Sequence, residues 1–337
     1  MISDMAALAI VILNWNGQEM LERFLPSVLR NSDGADIYVA DNGSTDGSVE
    51  LLRTNFPDAK VIELGNNYGF AEGYNQALSR LRDYTYYLLL NSDVEVKSGW
   101  LTAMMNYMDE HPEVGACQPK LLCQWNPTHF EYAGAAGGYI DALGYPYCRG
   151  RIFNTVEKDE GQYDTVAEVH WASGAALLVR SVDFWSVGGL DGSFFAHQEE
   201  IDLCWRLWRN GKKVVCVPQS VVYHLGGGTL PKGNSRKTYL NFRNNIWLLR
   251  KNLPESDYRR VMRWRLLLDA VASLQMLLTG QFKSACAVWR ARRDASGEYN
   301  QDQRLSALGN SITLRPKSLL WAYYIKRKKK YSDLYRQ

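Results

Sequence analysis

The stretch that most constrains this chain runs from Tyr84 to Val96 and reads YTYYLLLNSDVEV. Its largely aromatic and aliphatic first part stops abruptly on Asn91-Ser92-Asp93, which is typical of a parallel strand buried on both faces. Open α/β sheets bind ligands at the carboxyl ends of their strands. A carboxylate at that position can hold a divalent cation, which in turn holds a phosphate. The same triplet also suits a turn or the cap of a helix over 100–111.

Strand and helix patterns alternate over the first part of the chain. Apolar β-rich runs occupy 6–13, 36–40, 60–64 and 84–90, and amphipathic helical segments follow each of them. Thr45 or Asp46 is expected to cap the second helix. Four such repeats predict an α/β fold with a doubly wound, mostly parallel central sheet.

Polar loops follow all four strands and carry Asn14, Asp41, Asn67 and Asp93. Turn chemistry explains each loop singly, but the joint pattern predicts a ligand site along one edge of the sheet. The loop DNGSTDGS, residues 41–48, matches neither the Rossmann nor the Walker phosphate loop. A nucleotide there would be recognised by Asp41 and by backbone groups.

Beyond Val96 the regular alternation of strand and helix patterns is lost. Short strands are expected within 114–123 and 132–147, and the polar segment 151–166 is expected to be a mobile excursion. A helix bearing Ile201 and Trp205 should stop at Asn210-Gly211. Further strands are expected over 166–180, 213–218 and 221–223, the last leading to His224 and the glycine-rich 226–229. Trp171, Ser173 and Gly174 either shape an acceptor pocket or pack in the core.

From Lys237 onward the composition is helical, with helices expected over 241–253, 254–279 and 282–293 and a closing segment at 315–331. The chain therefore divides into a sheet domain, 1–230, and a helical region, 231–337. Tryptophans and leucines interleaved with basic residues suit an interfacial helix on anionic lipid. They equally suit a helix packed on the sheet domain with a solvated basic face. The basic residues are Arg259, Arg260, Arg263, Arg265, Lys283, Arg290, Arg292, Arg293 and 326–330.

Composition narrows the class of protein. A hydrophobic content of 46% with 22% charged residues indicates a folded globular chain. A net charge of +3 without a recognised motif argues against nucleic acid as a partner. The six cysteines lack CxxC spacing, so we expect buried free thiols in a reducing compartment. Neither a signal peptide nor a spanning helix is expected, which favours a cytoplasmic location.

The chain resembles the inverting family 2 glycosyltransferases of the GT-A fold, in the branch of rhamnosyltransferase-like enzymes of bacterial surface polysaccharides. The resemblance covers about Ala6 to Thr229, and the helical stretch KTYLNFRNNIWLLRKNLP is also similar to the tails of bacterial members. The motifs that carry it are VILNWNG, VADNGSTDGS, GNNYGFAEGYNQAL, YYLLLNSDVEV, ASGAALLVRS, VGGLDGSFFAHQEEIDLCWRLWRNGKKV and VPQSVVYHLGGGT.

The resemblance implies a binding site for a UDP- or dTDP-sugar. Asp41 would meet the nucleobase, with Asn14 and its neighbours lining that pocket. Gly69, Gly73 and Asn75 would lie by the ribose and diphosphate. The full set of expected donor-binding residues is Asn14, Asn16, Asp41, Asn67, Gly69, Gly73, Asn75 and Ser92.

The resemblance also implies a metal and a general base. Asn91-Ser92-Asp93 would be the DxD-type motif for Mg²⁺ or Mn²⁺, with Asp93 as ligand and Asn91 in place of the first acid. His224 would bind the metal or diphosphate, or else be a hydrogen-bonded histidine at a strand end. Glu199-Glu200 matches the motif that supplies the base, with Glu200 favoured and Glu199 the alternative. We expect Asp202 to stabilise its helix by pairing with Arg206.

The resemblance, taken with these residues, predicts a metal-dependent, inverting transfer of a hexose or deoxyhexose to a saccharide attached to lipid. The enzyme would work peripherally at the inner face of the bacterial cytoplasmic membrane. One alternative is a sugar-nucleotide nucleotidyltransferase, which should carry a glycine-rich basic loop where this chain has Asn14-Trp15-Asn16-Gly17. The other is a sugar-nucleotide-binding module without activity.

Overall fold

A ten-stranded mixed sheet forms the centre of the computed structural model, which describes residues 8–226, 234–297 and 312–335. Its strand order is β12-β14-β6-β13-β4-β1-β2-β3, and β5 and β7 branch from β14 and β6. The strands are β1 (Leu8–Asn14), β2 (Ala35–Asp41), β3 (Lys60–Glu63), β4 (Tyr86–Leu90), β5 (Val94–Val96), β6 (Val114–Cys123), β7 (Asn126–Phe130), β8 (Gly138–Ile140), β9 (Pro146–Cys148), β10 (Arg151–Ile152), β11 (Thr155–Val156), β12 (Ala167–Glu168), β13 (Ala176–Arg180) and β14 (Lys213–His224).

Helices cover both faces of this sheet and continue beyond it. They are α1 (Gln18–Asn31), α2 (Ser48–Asn55), α3 (Gly69–Leu78), α4 (Trp100–Glu110), α5 (Ser181–Ser186), α6 (Glu199–Arg209), α7 (Ser235–Asn252), α8 (Glu255–Leu278), α9 (Phe282–Gly297) and α10 (Tyr331–Leu334). A 3₁₀ turn occupies Gly192–Phe194, and a π-helical turn occupies Trp321–Ile325.

The predicted doubly wound, mostly parallel arrangement is confirmed. Strands β3, β2, β1 and β4 run parallel in that order. Strand β13 is antiparallel to β4 and β6, whereas β14 is parallel to β6. Helices that connect parallel neighbours leave the carboxyl ends of those strands on one edge. The register of β1 on β2 pairs Asn14 with Asp41 there.

Strand β4 explains why the helices divide between the two faces. All five of its residues are buried, because alternate side chains point to opposite sides of the sheet. Tyr87 and Leu89 join the core under α3, which contributes Tyr74 and Ala77. The opposite core contains Tyr86, Leu88 and Leu90 with residues of α1 and α4, among them Leu21, Leu25 and Met104.

The segment 151–166, expected to be a mobile excursion, is instead packed against the fold. Strands β11, β10, β9 and β8 form a separate four-stranded antiparallel sheet. Glu157 is buried, and its Oε1 accepts a hydrogen bond from the Tyr331 amide at 2.8 Å. Lys120, itself buried, pairs with Asp159 at 2.8 Å and with Asp164. The prediction was wrong because the partners of these charged residues are distant in sequence.

Several smaller expectations also need correction. Gly47 takes the N-cap position of α2, and Asp46 instead accepts the Ser48 amide with its carboxylate at 3.1 Å. The two strands expected over 213–223 are one strand, β14, with an irregularity between Val217 and Val221. Five of the six free cysteines are buried, but Cys286 is exposed.

The closing segment, expected over 315–331, forms only short turns in its described part. Gly227, Gly228, Thr229 and the predicted boundary at 230/231 lie outside the described residues. Ala6 and the rest of the first seven residues also lie outside them. Within the described ranges, no helix combines the length and apolarity needed to cross a bilayer.

A buried ionic cluster attaches α7 to α6. The Asp202 carboxylate accepts hydrogen bonds from Arg206 at 2.7 Å, Lys251 at 2.9 Å and Asn252 at 2.9 Å. Burial alone would raise the pKa of Asp202, but Arg206 and Lys251 lower that pKa to about 2. The expected pairing of Asp202 with Arg206 is therefore present, and it extends to two residues of α7 that sequence spacing did not indicate.

Candidate active site

The loops after β1 and β2 interlock at the carboxyl edge of the sheet. Asn14 and Asp41 are both buried. Asn14 Nδ2 donates to Ser44 Oγ at 3.2 Å, and the Ser44 amide donates to both Asp41 carboxylate oxygens, at 2.9 and 3.2 Å. Asn16, in a left-handed conformation with φ 51°, accepts the Thr45 amide on its Oδ1 at 2.7 Å. These two expected donor-binding loops therefore form one polar wall.

Asn42 joins this wall to the loop before α3, and sequence reasoning missed it. Its Nδ2 donates to Gly69 O at 3.0 Å and to Asn67 Oδ1 at 3.3 Å, while its Oδ1 accepts the Tyr68 amide at 3.0 Å. Asn67 Oδ1 also accepts the Gly69 amide at 2.9 Å. A signal existed in the side-by-side placement of Asn42 and Asp41, because an asparagine after a strand commonly bonds to nearby backbone.

A cleft of about 490 Å³ opens between the β1–α1 turn and the end of β4. It is lined by Trp15, Asn16, Gly17, Gln18, Glu19, Met20, Glu22, Asp46, Ser92 and Asp93. Trp15 is 48% exposed, so an aromatic face is available to a planar ligand. Asn14 Oδ1 is buried and has no hydrogen-bond donor among the described residues, which leaves an acceptor at the base of this wall.

Gly69, Gly73 and Asn75, expected beside the ribose and diphosphate, are used in packing and positioning. A Cβ on Gly69, whose φ is +79°, would lie 2.6 Å from the Phe195 ring, and one on Gly73 would lie 3.0 Å from Leu13. Asn75 bonds through Nδ2 to Leu190 O at 2.7 Å and through Oδ1 to the Leu190 amide at 3.0 Å. In this structure Asn75 therefore holds the segment before α6.

Asp93 lies in a buried acidic cluster with His224 and Glu131. Asp93 Oδ1 is 3.0 Å from His224 Nε2, and Glu131 Oε1 is 3.4 Å from His224 Nδ1. Burial lowers the pKa of His224, but the negative charges of Glu131 and Asp93 outweigh it and raise that pKa to about 10. Burial would raise the pKa of Asp93, yet the neighbouring imidazole lowers it. Asn91 Nδ2 is 3.4 Å from His224 Nε2.

Glu131 was not anticipated, since a single acid in an irregular segment gives no sequence signal. Its Oε2 accepts the amides of Ala133 at 2.6 Å and Gly134 at 3.0 Å, so the carboxylate is held in place. Among the described residues, no three His, Cys, Asp or Glu side chains converge as a complete metal-ligand set. Sites for Mg²⁺ commonly use one or two protein carboxylates together with substrate phosphates and water.

Glu199 and Glu200 begin α6 as a pair of carboxylates, the first buried and the second half-buried. Each has an Oε2 without a hydrogen-bond partner in the described part of the chain. Burial, followed by the charge of Glu200, raises the pKa of Glu199 well above its usual value. Burial raises the pKa of Glu200 to about 7. Acids with such raised pKa values are suited to accept a proton near neutral pH.

The 173–175 turn connects this pair to the end of β4. A Cβ on Gly174 would lie 3.7 Å from Glu200 Cβ, and the Ala175 carbonyl accepts the Asn91 amide at 3.0 Å. Trp171 belongs to the core instead, with its Nε1 bonded to Tyr139 O at 3.1 Å. Ser173 is also buried, and its amide donates to Gln118 Oε1 at 2.8 Å. Of the three residues considered for an acceptor pocket, only Gly174 is placed against the carboxylate pair.

The chain is similar in sequence to known glycosyltransferases. The family model for glycosyl transferase family 2 matches residues 9–176. The chain is 28% identical over 235 residues to the N-acetylglucosaminyl-diphospho-decaprenol L-rhamnosyltransferase of Mycobacterium tuberculosis, covering 64% of this chain and 75% of that protein. It is 24% identical over 219 residues to rhamnosyltransferase WbbL of Escherichia coli, covering 64% and 82%.

Two solved structures share the fold. GalNAc-T7 with UDP, GalNAc and Mn²⁺ superposes with a TM-score of 0.59 at 17% identity, covering 76% of this chain. This chain spans 49% of the length of that one. The Pyrobaculum calidifontis mannosyltransferase PcManGT, in complex with GDP-Man and Mn²⁺, gives a TM-score of 0.51 at 13% identity, covering 89% and 78%.

The close approach at Gly69 generates a stability prediction. Gly69→Ala should combine the cost of a left-handed alanine, about 1–2 kcal/mol, with about 1–3 kcal/mol of overpacking against Phe195. Gly99→Ala is the matched control, because Gly99 has φ +78° and nothing within 4 Å of its added Cβ. Urea unfolding of both variants should show the larger loss of unfolding free energy for Gly69→Ala. Equal losses would contradict the packing argument.

Proposed function

The chain belongs to glycosyl transferase family 2 and is a glycosyltransferase of the GT-A fold, and from that premise we propose that it transfers a hexose or deoxyhexose with inversion. The donor is a UDP- or dTDP-sugar, and the acceptor is a saccharide linked to lipid. The observation that carries the proposal is the pair Glu199 and Glu200, whose buried Oε2 atoms lack a partner among the described residues and which lies beside the 173–175 turn that bonds to Asn91. The family assignment leaves no support for the nucleotidyltransferase alternative.

Donor binding is assigned to the cleft at the carboxyl edge. Trp15 offers an aromatic face to the nucleobase, and Asn14 and Asp41 lie behind it in the polar wall. Asn16, Asn67, Gly69 and Ser92 shape the loops through which the ribose and diphosphate would pass. The names of two relatives, both rhamnosyltransferases, support a deoxyhexose donor. Gly73 and Asn75 act through packing on Leu13 and Leu190.

A divalent cation, Mg²⁺ or Mn²⁺, fits the cluster at the end of β4. Asp93 and His224 would hold it, with Asn91 beside them, and the donor diphosphate and water would complete its coordination. The observation that supports this fit is the pair of buried carboxylates on either side of His224, which favour a positive charge there. A cation held by the imidazole would take the place of the second proton on the ring. Carboxylate oxygen suits Mg²⁺ and Mn²⁺, whereas imidazole is more usual at zinc, copper, iron and nickel, so Asp93 would be the main protein ligand. Both solved structures contain Mn²⁺. Such a cation neutralises charge on the departing diphosphate.

The general base is assigned to Glu200. Its carboxylate would accept the proton of the acceptor hydroxyl as that oxygen attacks the anomeric carbon, a single displacement that inverts the centre. A base with a pKa near the working pH combines a populated ionised form with a useful driving force for proton transfer. Glu199 occupies the neighbouring position, and the charge of Glu200 adds to the effect of burial in raising the pKa of Glu199.

Association with an anionic lipid surface is assigned to the α8–α9 apolar face. We define this face as Trp264, Leu267, Val271, Leu274 and Leu278 of α8 with Phe282 and Trp289 of α9. The five α8 residues are 56–79% exposed and recur every three or four positions, so they line one side of the helix. The exposed Arg263, Lys283 and Arg290 supply positive charge on the same two helices.

Arg265 and Arg292, which had been expected among the lipid-facing bases, do not belong to this surface. Arg265 is buried, and both arginines pair with the buried Asp269. The remaining exposed bases still complement anionic headgroups. The name of the mycobacterial relative, which contains diphospho-decaprenol, supports a lipid-linked acceptor. An apolar face at the membrane would keep the cleft near such an acceptor.

Removal of the Asp93 carboxylate should abolish metal-dependent donor binding. Asp93→Ala should lose more activity than the ~10–100-fold that second-shell changes cost, and Glu131→Gln should fall within that range because Glu131 only holds His224. The measurement is transfer from UDP- and dTDP-sugars with Mn²⁺, Mg²⁺ or EDTA, together with calorimetric donor binding. Asp58→Ala, at an exposed acid, is the control. Full turnover by Asp93→Ala in EDTA would contradict the metal assignment.

Neutralising the base should stop transfer while leaving donor binding intact. Glu200→Gln keeps the size of the side chain and should lower kcat by about 10²–10⁴-fold, whereas Glu199→Gln should lower it less. Because the raised pKa leaves Glu200 protonated below about 7, wild-type activity should rise with pH through about 7. Steady-state kinetics against pH measure both effects. If Glu199→Gln proves the inactive variant, the base is Glu199.

Charging the α8–α9 apolar face should prevent lipid binding. Leu267→Glu with Leu274→Glu should release the protein from vesicles of phosphatidylcholine and phosphatidylglycerol in a sedimentation assay. Wild-type binding should fall when phosphatidylglycerol is omitted or salt is raised. Val182→Glu, which changes a 70% exposed apolar residue outside this face, is the control. Self-association through the face without any vesicle binding would overturn the lipid assignment.

A further inference from the structure

Helix α7 contacts the loop that leads into the carboxylate pair. We name residues 194–198 the base loop, because α6 and Glu199 follow it directly. Resting on the proposed function, we propose that Arg243, Asn244 and Asn245 of α7 are positioning residues that hold the base loop and thereby aim Glu199 and Glu200. The inference assigns a role in the reaction to the helical region that follows the sheet domain.

The base loop has a backbone that needs outside support. Phe195, His197 and Gln198 all have positive φ values, of 63°, 73° and 71°. Residues with a Cβ rarely adopt this region, and they keep it only where the surrounding structure determines it. Three such residues within four positions, directly before a proposed catalytic pair, indicate that neighbouring groups maintain the conformation.

Asn244 supplies most of that support. It is fully buried, and the two hydrogens of its Nδ2 are shared among three carbonyls of the base loop: Phe194 at 3.0 Å, Ala196 at 2.8 Å and His197 at 2.7 Å. Its Oδ1 accepts Arg243 Nε at 2.9 Å and Nη2 at 2.8 Å, which orients the amide toward the loop. Arg243 Nη2 also donates to Ser193 O at 3.1 Å and Phe194 O at 3.0 Å.

The last residue of the base loop, Gln198, is held by its side chain. Gln198 Nε2 donates to Asn241 O at 3.0 Å, and Gln198 Oε1 accepts Asn245 Nδ2 at 3.0 Å. Asn245 Oδ1 in turn accepts Arg265 Nη1 of α8 at 2.5 Å. Since Gln198 precedes Glu199, fixing its side chain restricts the rotation of the first turn of α6.

The opposite side of the base loop lies on the donor side of the fold. Phe195 O accepts the Phe70 amide at 2.6 Å and the Ala71 amide at 3.3 Å, at the start of α3. Gly69 makes this approach possible, since a Cβ there would lie 2.7 Å from Phe195 O. The base loop is therefore held between α7 and the N-terminal end of α3. That end of α3 directly follows the loop that contains Asn67.

Helix α7 reaches α6 a second time two turns later. Lys251 and Asn252 bond to Asp202, one turn into α6, at 2.9 Å each. Residues at i, i+7 and i+8 lie on one side of a helix, so Asn244, Lys251 and Asn252 present one face of α7 to α6 and its loop. Contacts at two points fix both the start and the direction of the helix that carries the pair.

The test compares Asn244→Ala with Asn241→Ala. Asn241 lies one turn earlier in α7. Among the described residues its Nδ2 bonds only to Lys237 O, within the same helix, so Asn241 is a matched control. Asn244→Ala should lower kcat by about 10²-fold, the effect of a small misplacement of a reacting group, without changing the donor Kd. Arg243→Gln, at a partly exposed position, is the milder variant and should lower kcat about tenfold.

Hydrogen exchange separates this inference from the proposed function, because it needs no substrate. Amides of 194–200 should exchange faster in Asn244→Ala than in wild type or Asn241→Ala, and amides of 86–93 should not change. Wild-type kcat in a folded Asn244→Ala variant would overturn the inference, as would an increase in donor Kd that matches the loss of rate. Absence of transfer by the wild type would refute the proposed function instead, leaving the exchange result to decide the role of α7.

Discussion

The burial of β4 on both faces is the constraint on which the site depends. Its five apolar residues fill two separate cores, one under α3 and one under α1 and α4. Polar groups cannot enter such a strand without losing hydrogen bonds, so they begin where it ends, at Asn91. Parallel pairing with β1 brings that end beside Asn14 and Asp41. The cleft therefore lies where the buried strand β4 ends.

The acids of α6 lie in two kinds of environment. One suits a structural role, and the other suits proton transfer. Asp202 is surrounded by Arg206 and Lys251, which outweigh its burial and keep its pKa low. No basic side chain offsets the burial of Glu199 and Glu200 in the described part of the chain, and burial raises the pKa of both. One turn of α6 therefore holds Asp202, which stays ionised and bonds to α7, and two acids with raised pKa values, of which Glu200 has a pKa of about 7. That contrast is what favours Glu200 for proton transfer.

Much of the architecture was predictable because it is encoded locally. Apolar runs located β1 to β4 to within about two residues, and Asn210-Gly211 ended α6 as expected. Glu131 and Asn244 could not be found this way, because each acts on residues far away in sequence. The packed segment 151–166 and the buried Arg265 were misjudged for the same reason. From sequence alone a charged residue is expected to be exposed, because the distant residue that pairs with it is not known.

The sequence by itself determined the fold class, the sheet edge where ligands would bind, and the acids that could take part, since these depend on periodicity and on strand ends. Tertiary structure alone decided how those residues are used. In the folded chain Asn75 bonds to the Leu190 backbone, and His224 lies between Asp93 and Glu131. Asn244 donates hydrogen bonds to the base loop. The physical reason is that hydrogen bonding and charge pairing depend on distances of a few ångströms between groups. Folding sets those distances, and spacing along the chain does not record them.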